Sequence, residues 1–120
     1  MVKLVRSFRY AASGILVCFK TQPNFRIHIL AATAAVLTGA GLQINHLQWI
    51  IVTICISMVL VTELLNTAME KICDHVNPSH HPQIKIIKDM AAGAVLVVAV
   101  MSIITAALIF IPACIHYLNS

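Results

Sequence analysis

Charge is the property that this 120-residue sequence has least of. Only 10% of its residues are charged, whereas roughly a quarter are charged in an ordinary soluble domain. No formal charge occurs between Arg26 and Glu63, and none follows Asp89. A soluble chain of this length could not cover its surface with so few charges. The sequence therefore predicts a single domain, residues 1–120, that is embedded in a membrane.

Several common signatures are also absent, and each absence narrows the class of protein. The four cysteines lack CxxC spacing, so neither a disulfide framework nor a thiolate metal site is expected. Neither GxxxxGK(S/T) nor GxGxxG occurs, so a kinase with this sequence would be neither of the P-loop nor of the protein-kinase type. The apolar run at residues 15–19 is shorter than the core of a cleaved signal peptide. We expect no nucleic-acid partner.

Three apolar stretches are long enough to cross a bilayer, which requires about 20 apolar residues per helix. The first two lie within the 36 uncharged residues that follow Arg26. Glycines and polar residues at positions 39–46 favour a turn between them. We predict membrane spans at about residues 25–41, 47–65 and 90–115, with the second helix continuing to about residue 75.

The basic residues indicate how the chain is oriented. Lys and Arg occur only at residues 3–26 and 71–88, and cytoplasmic segments retain Lys and Arg. We therefore expect a cytoplasmic N-terminus, an external C-terminus and a cytoplasmic 71–88 segment. Apolar residues recur at helical spacing over residues 3–20 with the basic residues off that stripe, which predicts an amphipathic helix on the inner leaflet. A topology anchor without chemistry is the alternative interpretation.

Polar side chains recur on one face at the end of the second predicted span. At 100° per residue, Glu63, Asn66, Glu70 and Asp74 form a narrow stripe about 16 Å long. Carboxylates along one face repel each other, so the stripe favours a bound cation. An acid inside a span, as Glu63 is predicted to be, indicates function by default. A solvated helix face is the alternative, which we favour for Asp74 taken alone.

A second polar cluster, Lys88 and Asp89, immediately precedes the third predicted span. An acidic stripe near a lysine has the parts that phosphoryl transfer needs: carboxylates for a divalent cation, a cation for phosphate, and a base for the acceptor hydroxyl. His75, His80 and His81 could together suggest zinc, but no thiolate is well placed beside them. A polar loop near a nucleotide is the simpler interpretation.

The two clusters carry a family resemblance. The patterns ExxNxxxExxxD at residues 63–74 and KDxxxG at residues 88–93 resemble signature segments of the bacterial diacylglycerol kinase/undecaprenol kinase family, and the similarity runs from about Phe8 to the end of the third span. The resemblance implies a homotrimer of three-span protomers in the bacterial cytoplasmic membrane, with an N-terminal surface helix. It also implies transfer of the γ-phosphate of MgATP to a lipid alcohol at the cytosolic interface, with Mg²⁺ as the cofactor and with sites shared between protomers.

The same resemblance implies roles for individual residues. Glu63 would be the catalytic base, and Asn66 would orient the reacting groups. Glu70 would ligate the metal. The family commonly has a second metal ligand, a glutamate, where this sequence has Gln22, whose amide oxygen can coordinate a cation but brings no charge. The residues expected at the nucleotide are Tyr10, Gln22, Glu70, Asp74, Ser79, His80, His81, Lys88 and Asp89.

The acceptor lipid and the function class both have alternatives. The NFRIH segment at residues 24–28 resembles the undecaprenol kinase branch, so undecaprenol is the expected acceptor and diacylglycerol the alternative. A small transporter with Glu63 as its cation site is the rival from another class, and a structural subunit is the third. Because the charges gather at one interface rather than in mid-span, the sequence favours the lipid kinase.

Overall fold

The structure, a computed structural model, describes all 120 residues and contains only helices. There are four: α1 (Val2–Thr21), α2 (Pro23–Leu42), α3 (His46–Val76) and α4 (Pro82–Leu118). The last three are long and apolar enough to cross a membrane. The prediction of an all-helical chain with three candidate spans is confirmed.

Local chemistry accounts for the corner between α1 and α2. Gln22 is extended, with φ −115° and ψ 106°, as a residue that precedes proline prefers to be. Pro23 then starts α2 at a position where its missing N–H costs nothing. The Arg26 guanidinium donates to the carbonyl oxygens of Phe19 and Lys20, at 2.8 and 3.1 Å. These carbonyls lie in the last turn of α1, where helical partners are lacking, so Arg26 holds the corner together.

The turn between α2 and α3 is equally well specified. Gln43 ends α2 in the left-handed region, with φ 54°. Asn45 then begins α3 with a capping box: its side chain accepts from the Gln48 backbone at 2.9 Å, and the Gln48 side chain accepts from the Asn45 backbone at 2.9 Å. Both contacts satisfy N–H groups that the start of a helix leaves free. The short connection makes α2 and α3 antiparallel neighbours.

Few residues are buried inside the helix bundle, as a small membrane protein allows. Only 11 of the 120 residues are buried, so most of the apolar helix surface faces outward, where lipid can cover it. Ile44, Val52 and Ile109 form the core at the α2–α3 turn. The opposite end of the bundle, which we call the polar end, consists of residues 20–28, 63–74 and 82–89. There, Thr67 Oγ1 lies 3.5 Å from Sγ of Cys18, and this contact joins α1 to α3.

Gly39 allows α2 and α3 to approach closely at their turn. A Cβ atom on this residue would lie 2.9 Å from Ile44 Cδ1 and 3.0 Å from the Trp49 ring. Overpacking of this kind costs about 1–3 kcal/mol, because the neighbouring side chains must shift. We expect Gly39→Ala to lower the midpoint of thermal unfolding in detergent.

Gly41 provides the matched control, since it lies two residues further along the same helix. A Cβ atom there meets nothing within 4 Å, and alanine favours a helix over glycine by about 0.5–1 kcal/mol. Gly41→Ala should leave the midpoint unchanged or raise it. Equal midpoints for the two variants would contradict the close approach at Gly39.

Candidate active site

Glu63 is the most deeply buried charged residue, with only 4% of its surface exposed. It lies on α3 at the point where the uncharged part of that helix gives way to polar residues. Its Oε1 atom is 3.4 Å from Nε2 of His28, which reaches it from α2. A buried carboxylate needs a partner that replaces the water it has lost, and His28 is the only ionisable side chain within ion-pair distance of it.

Asn66 follows Glu63 by about one turn of α3. Its Oδ1 atom is buried and has no hydrogen-bond partner. Buried polar atoms are nearly always paired, so an orphaned acceptor indicates a place where a ligand can supply the donor or cation. The Asn66 oxygen lies between Glu63 and Glu70 along the helix, on the stripe that the sequence predicted.

Gln22 and Glu70 lie at the same level of the bundle. Gln22 precedes His28 by six residues, and Glu70 follows Glu63 by seven. Because α2 and α3 are antiparallel and each residue advances a helix by about 1.5 Å, both lie roughly 10 Å beyond the His28–Glu63 contact. Both side chains are half-buried.

This donor set suits one kind of metal ion. No three His, Cys, Asp or Glu side chains converge as a metal cage. The residues available are the Glu70 carboxylate, the Gln22 amide oxygen and the orphaned Asn66 oxygen. Mg²⁺ prefers such a site, with one or two carboxylates and several waters. The residues present therefore fit Mg²⁺.

Two exposed ion pairs occur in the polar end. Lys88 Nζ contacts Asp74 Oδ1 and so connects the end of α3 to the beginning of α4. Lys85 Nζ lies 2.6 Å from Asp89 Oδ2, one turn along α4. Exposed ion pairs stabilise a fold only weakly, because water screens the charges. Either pair can therefore be exchanged for another partner at little cost.

The other residues expected at the nucleotide do not join these contacts. The Tyr10 side chain is exposed on α1 and makes no hydrogen bond, and the Ser79 hydroxyl bonds only to Asn77. His80 is exposed in the α3–α4 loop. His81 is the N-cap residue of α4, where its Nδ1 accepts from the Gln83 backbone at 3.1 Å. Within one chain, the structure thus brings His28 of α2 to Glu63 of α3 but leaves Tyr10 and the α3–α4 loop without a contact to either.

Sequence reasoning missed His28 as a neighbour of Glu63. The signal that could have found it is the antiparallel register of α2 and α3. A short turn at residues 43–45 fixes which residues of the two helices lie opposite each other, and His28 is the only ionisable residue of α2 besides Arg26.

Comparisons with known proteins identify the family. Residues 9–110 match the prokaryotic diacylglycerol kinase family. The chain is 40% identical over 110 residues to an undecaprenol kinase of Bacillus subtilis, covering 92% of this chain and 89% of that one. It is 38% identical to a diacylglycerol kinase of Synechocystis, with 91% of this chain covered but only 63% of the longer relative. A diacylglycerol kinase of Escherichia coli is 23% identical over 86% of this chain and 84% of its own length.

The extent of these matches leaves little of the chain outside them. The family match includes α2, α3, most of α1 and most of α4, and therefore the whole polar end. Together with the three apolar helices, it shows that this chain is an integral membrane protein and belongs to the prokaryotic diacylglycerol kinase family of lipid kinases.

Proposed function

We propose that this kinase transfers the γ-phosphate of MgATP to the hydroxyl of a membrane lipid alcohol, with undecaprenol as the preferred acceptor. The observation that carries the proposal is the buried Glu63 carboxylate, which lies between the apolar part of α3 and the polar end. A soluble nucleotide and a membrane lipid can meet only at such a boundary. Diacylglycerol is the alternative acceptor, since relatives of both names share similar identity with the chain.

Glu63 acts as the general base in this proposal. Its Oε1 contacts His28, and no hydrogen bond occupies its Oε2, so the second oxygen can accept the proton of the lipid hydroxyl. The hydroxyl oxygen then forms a bond to the γ-phosphorus, while the bond from that phosphorus to the bridging oxygen breaks and ADP leaves. The proton later passes from Glu63 to water. The Asn66 amide orients the reacting groups beside it.

The nucleotide lies further out along the polar end. Lys88 exchanges Asp74 for phosphate oxygens, while Asp89 helps to position the nucleotide. Glu70 and Gln22 would hold Mg²⁺, which, when bound, neutralises charge on the transferred phosphoryl group. We place Tyr10, Ser79, His80 and His81 near the nucleotide as well.

A homotrimer would complete the site, because Tyr10 and the α3–α4 loop do not reach Glu63 within one chain. Apolar faces of α2, α3 and α4 are exposed and available for packing between protomers. Small residues such as Ala91, Ala92 and Gly93 near the start of the third span allow close helix approach. We propose that neighbouring protomers contribute to each site.

We place the protein in the bacterial cytoplasmic membrane, with the polar end, α1 and the N-terminus on the cytosolic side and the C-terminus outside. Lys3, Arg6 and Arg9 of α1 are exposed, which suits a helix that lies on anionic lipid. Residues 1–120 then form one membrane-embedded kinase domain, with the nucleotide arriving from the cytosol.

Phosphate transfer from labelled ATP in mixed micelles tests the proposal. Undecaprenol and diacylglycerol should be offered side by side, with Mg²⁺ present. We expect labelled undecaprenyl phosphate, with kcat/KM about tenfold above that for diacylglycerol, because apolar sites discriminate only weakly between lipid tails.

The outcomes separate the parts of the proposal. A higher kcat/KM for diacylglycerol would reverse the choice of acceptor but keep the reaction. Absence of labelled lipid with either acceptor, from protein that is folded in the same micelles, would refute the kinase reaction itself.

A further inference from the structure

Glu63 has one polar partner from outside its own helix, the imidazole of His28. The two side chains are 5% and 22% exposed, and His28 Nε2 lies 3.4 Å from Glu63 Oε1. No hydrogen bond from any other residue reaches the carboxylate. The one partner of Glu63 therefore comes from α2, not from the polar stripe on α3.

The position of His28 is fixed by its neighbours. Phe25 precedes it by three residues, so the two lie on the same face of α2. Phe25 is 2% exposed and anchors that face against the bundle. Arg26 holds the α1–α2 corner through two backbone carbonyls. His28 thus projects from a turn of α2 that Phe25 and Arg26 both anchor.

His28 also borders a largely apolar cavity. His28 lines a cavity of about 340 Å³ between α2, α3 and α4, and it is the only lining residue that can carry a positive charge. The lining is otherwise almost entirely apolar, with residues such as Ala31, Val59 and Ile103. The hydroxyls of Ser102 and Thr105 also line the cavity, but Glu63 does not. The one ion-pair partner of Glu63 is His28.

A hydrogen bond from His28 would fix which way the Glu63 carboxylate faces. A glutamate side chain on a helix has several rotamers, and a donor on a second helix selects one of them. With an Nε2–H donated to Oε1, the Oε2 atom faces away and can accept the proton of a substrate hydroxyl. The distance of 3.4 Å is longer than that of a formed hydrogen bond, and contacts of this kind commonly tighten when substrate binds.

We propose that His28 is a positioning residue for the base: it holds Glu63 through Oε1 and so presents Oε2 to the acceptor hydroxyl. This inference rests on the proposed function, since it assigns a partner to the base of that reaction. It adds α2 to the site as an element that acts on the chemistry as well as on the fold.

Three substitutions at His28 test the inference. Gln places its amide N–H where Nε2 lies, Asn is too short to reach that point, and Leu removes the donor. We expect His28→Gln to retain kcat within about threefold, and His28→Asn and His28→Leu to lower kcat about 100-fold, the usual cost of a misplaced catalytic group. The KM for ATP should stay unchanged in all three variants.

The Gln–Asn comparison remains decisive if the Leu variant does not fold, because both amides are polar and similar in size. Wild-type kcat in the Asn variant, or an equal loss in the Gln and Asn variants, would overturn the positioning role. His46, exposed at the first position of α3, is the matched control, and His46→Asn should leave kcat unchanged.

A variant of Glu63 separates this inference from the proposed function. If His28 acts only through Glu63, then adding His28→Asn to Glu63→Gln should lower kcat no further. An additional 100-fold loss in the double variant would show that His28 acts independently and would overturn the inference. Should the unsubstituted protein phosphorylate no lipid, the proposed function fails, and the inference fails with it. Should Glu63→Gln be inactive while His28→Asn is fully active, only the inference fails.

Discussion

Glu63→Gln is expected to lower kcat for lipid phosphorylation about 1000-fold, within the range that general-base catalysis contributes. Glutamine keeps the volume of the side chain and an oxygen that His28 can contact, but its amide cannot take up a proton at neutral pH. Because Glu63 is buried, no water can easily take its place as base. Single-turnover transfer of labelled phosphate measures the loss, and ATP binding should change less than about twofold, since the nucleotide is held elsewhere.

Thr62 is the control for this prediction, because it adjoins Glu63 and its hydroxyl donates only to carbonyls of its own helix, at Met58 and Val59. Thr62→Val should leave kcat within about twofold, since the hydroxyl has no substrate to contact. A folded Glu63→Gln variant with full activity would remove Glu63 from the base role.

The helices of this protein could be predicted because their signals are local. The uncharged stretches between Arg26 and Glu63 and after Asp89 are long enough to cross a bilayer. Glycine, asparagine and proline mark the breaks between them, at the capped turn before α3 and at Pro23 and Pro82. Each signal lies within a few residues of the feature it specifies, so no knowledge of packing was needed.

The partners of the polar stripe could not be predicted, because they depend on neighbouring helices. A wheel projection places Glu63 and Asp74 on one face, yet Glu63 contacts His28 on α2 while Asp74 contacts Lys88 on α4. The reason is that α2 is shorter than α3 at this end. It begins at Pro23 and therefore extends only to the level of Glu70. Beyond that point, Asp74 finds its partner at the beginning of α4.

Burial changes steadily along the same stripe. Glu63 is buried, Asn66 and Glu70 are half-buried, and Asp74 is exposed. Electrostatic interactions strengthen as water is excluded, so one helix face offers different chemistry at each turn. The proposed roles follow this order, with a base in the apolar region, a metal ligand at the boundary and nucleotide contacts in water.

Glu70→Gln is expected to lower turnover at limiting Mg²⁺ about 100-fold, and added Mg²⁺ should restore part of it. Glu70 is the only carboxylate of the proposed metal site, because Gln22 is neutral, and loss of its charge weakens a site for a hard cation. The loss of a group that stabilises transition-state charge commonly costs this much. Turnover measured across a series of Mg²⁺ concentrations separates a weakened metal site from a damaged fold, which added metal would not rescue.

Gln22 provides the complementary change, since it lies at the same level as Glu70 on the neighbouring helix. Gln22→Glu should lower the Mg²⁺ concentration needed for half-maximal turnover without abolishing activity, because it adds a carboxylate where an amide stood. Combined with Glu70→Gln, it should recover part of the lost turnover, since the pair again carries one negative charge. An inactive but well-folded Gln22→Glu variant would argue against Gln22 as a metal ligand, and an unchanged Mg²⁺ dependence in Glu70→Gln would argue against Glu70.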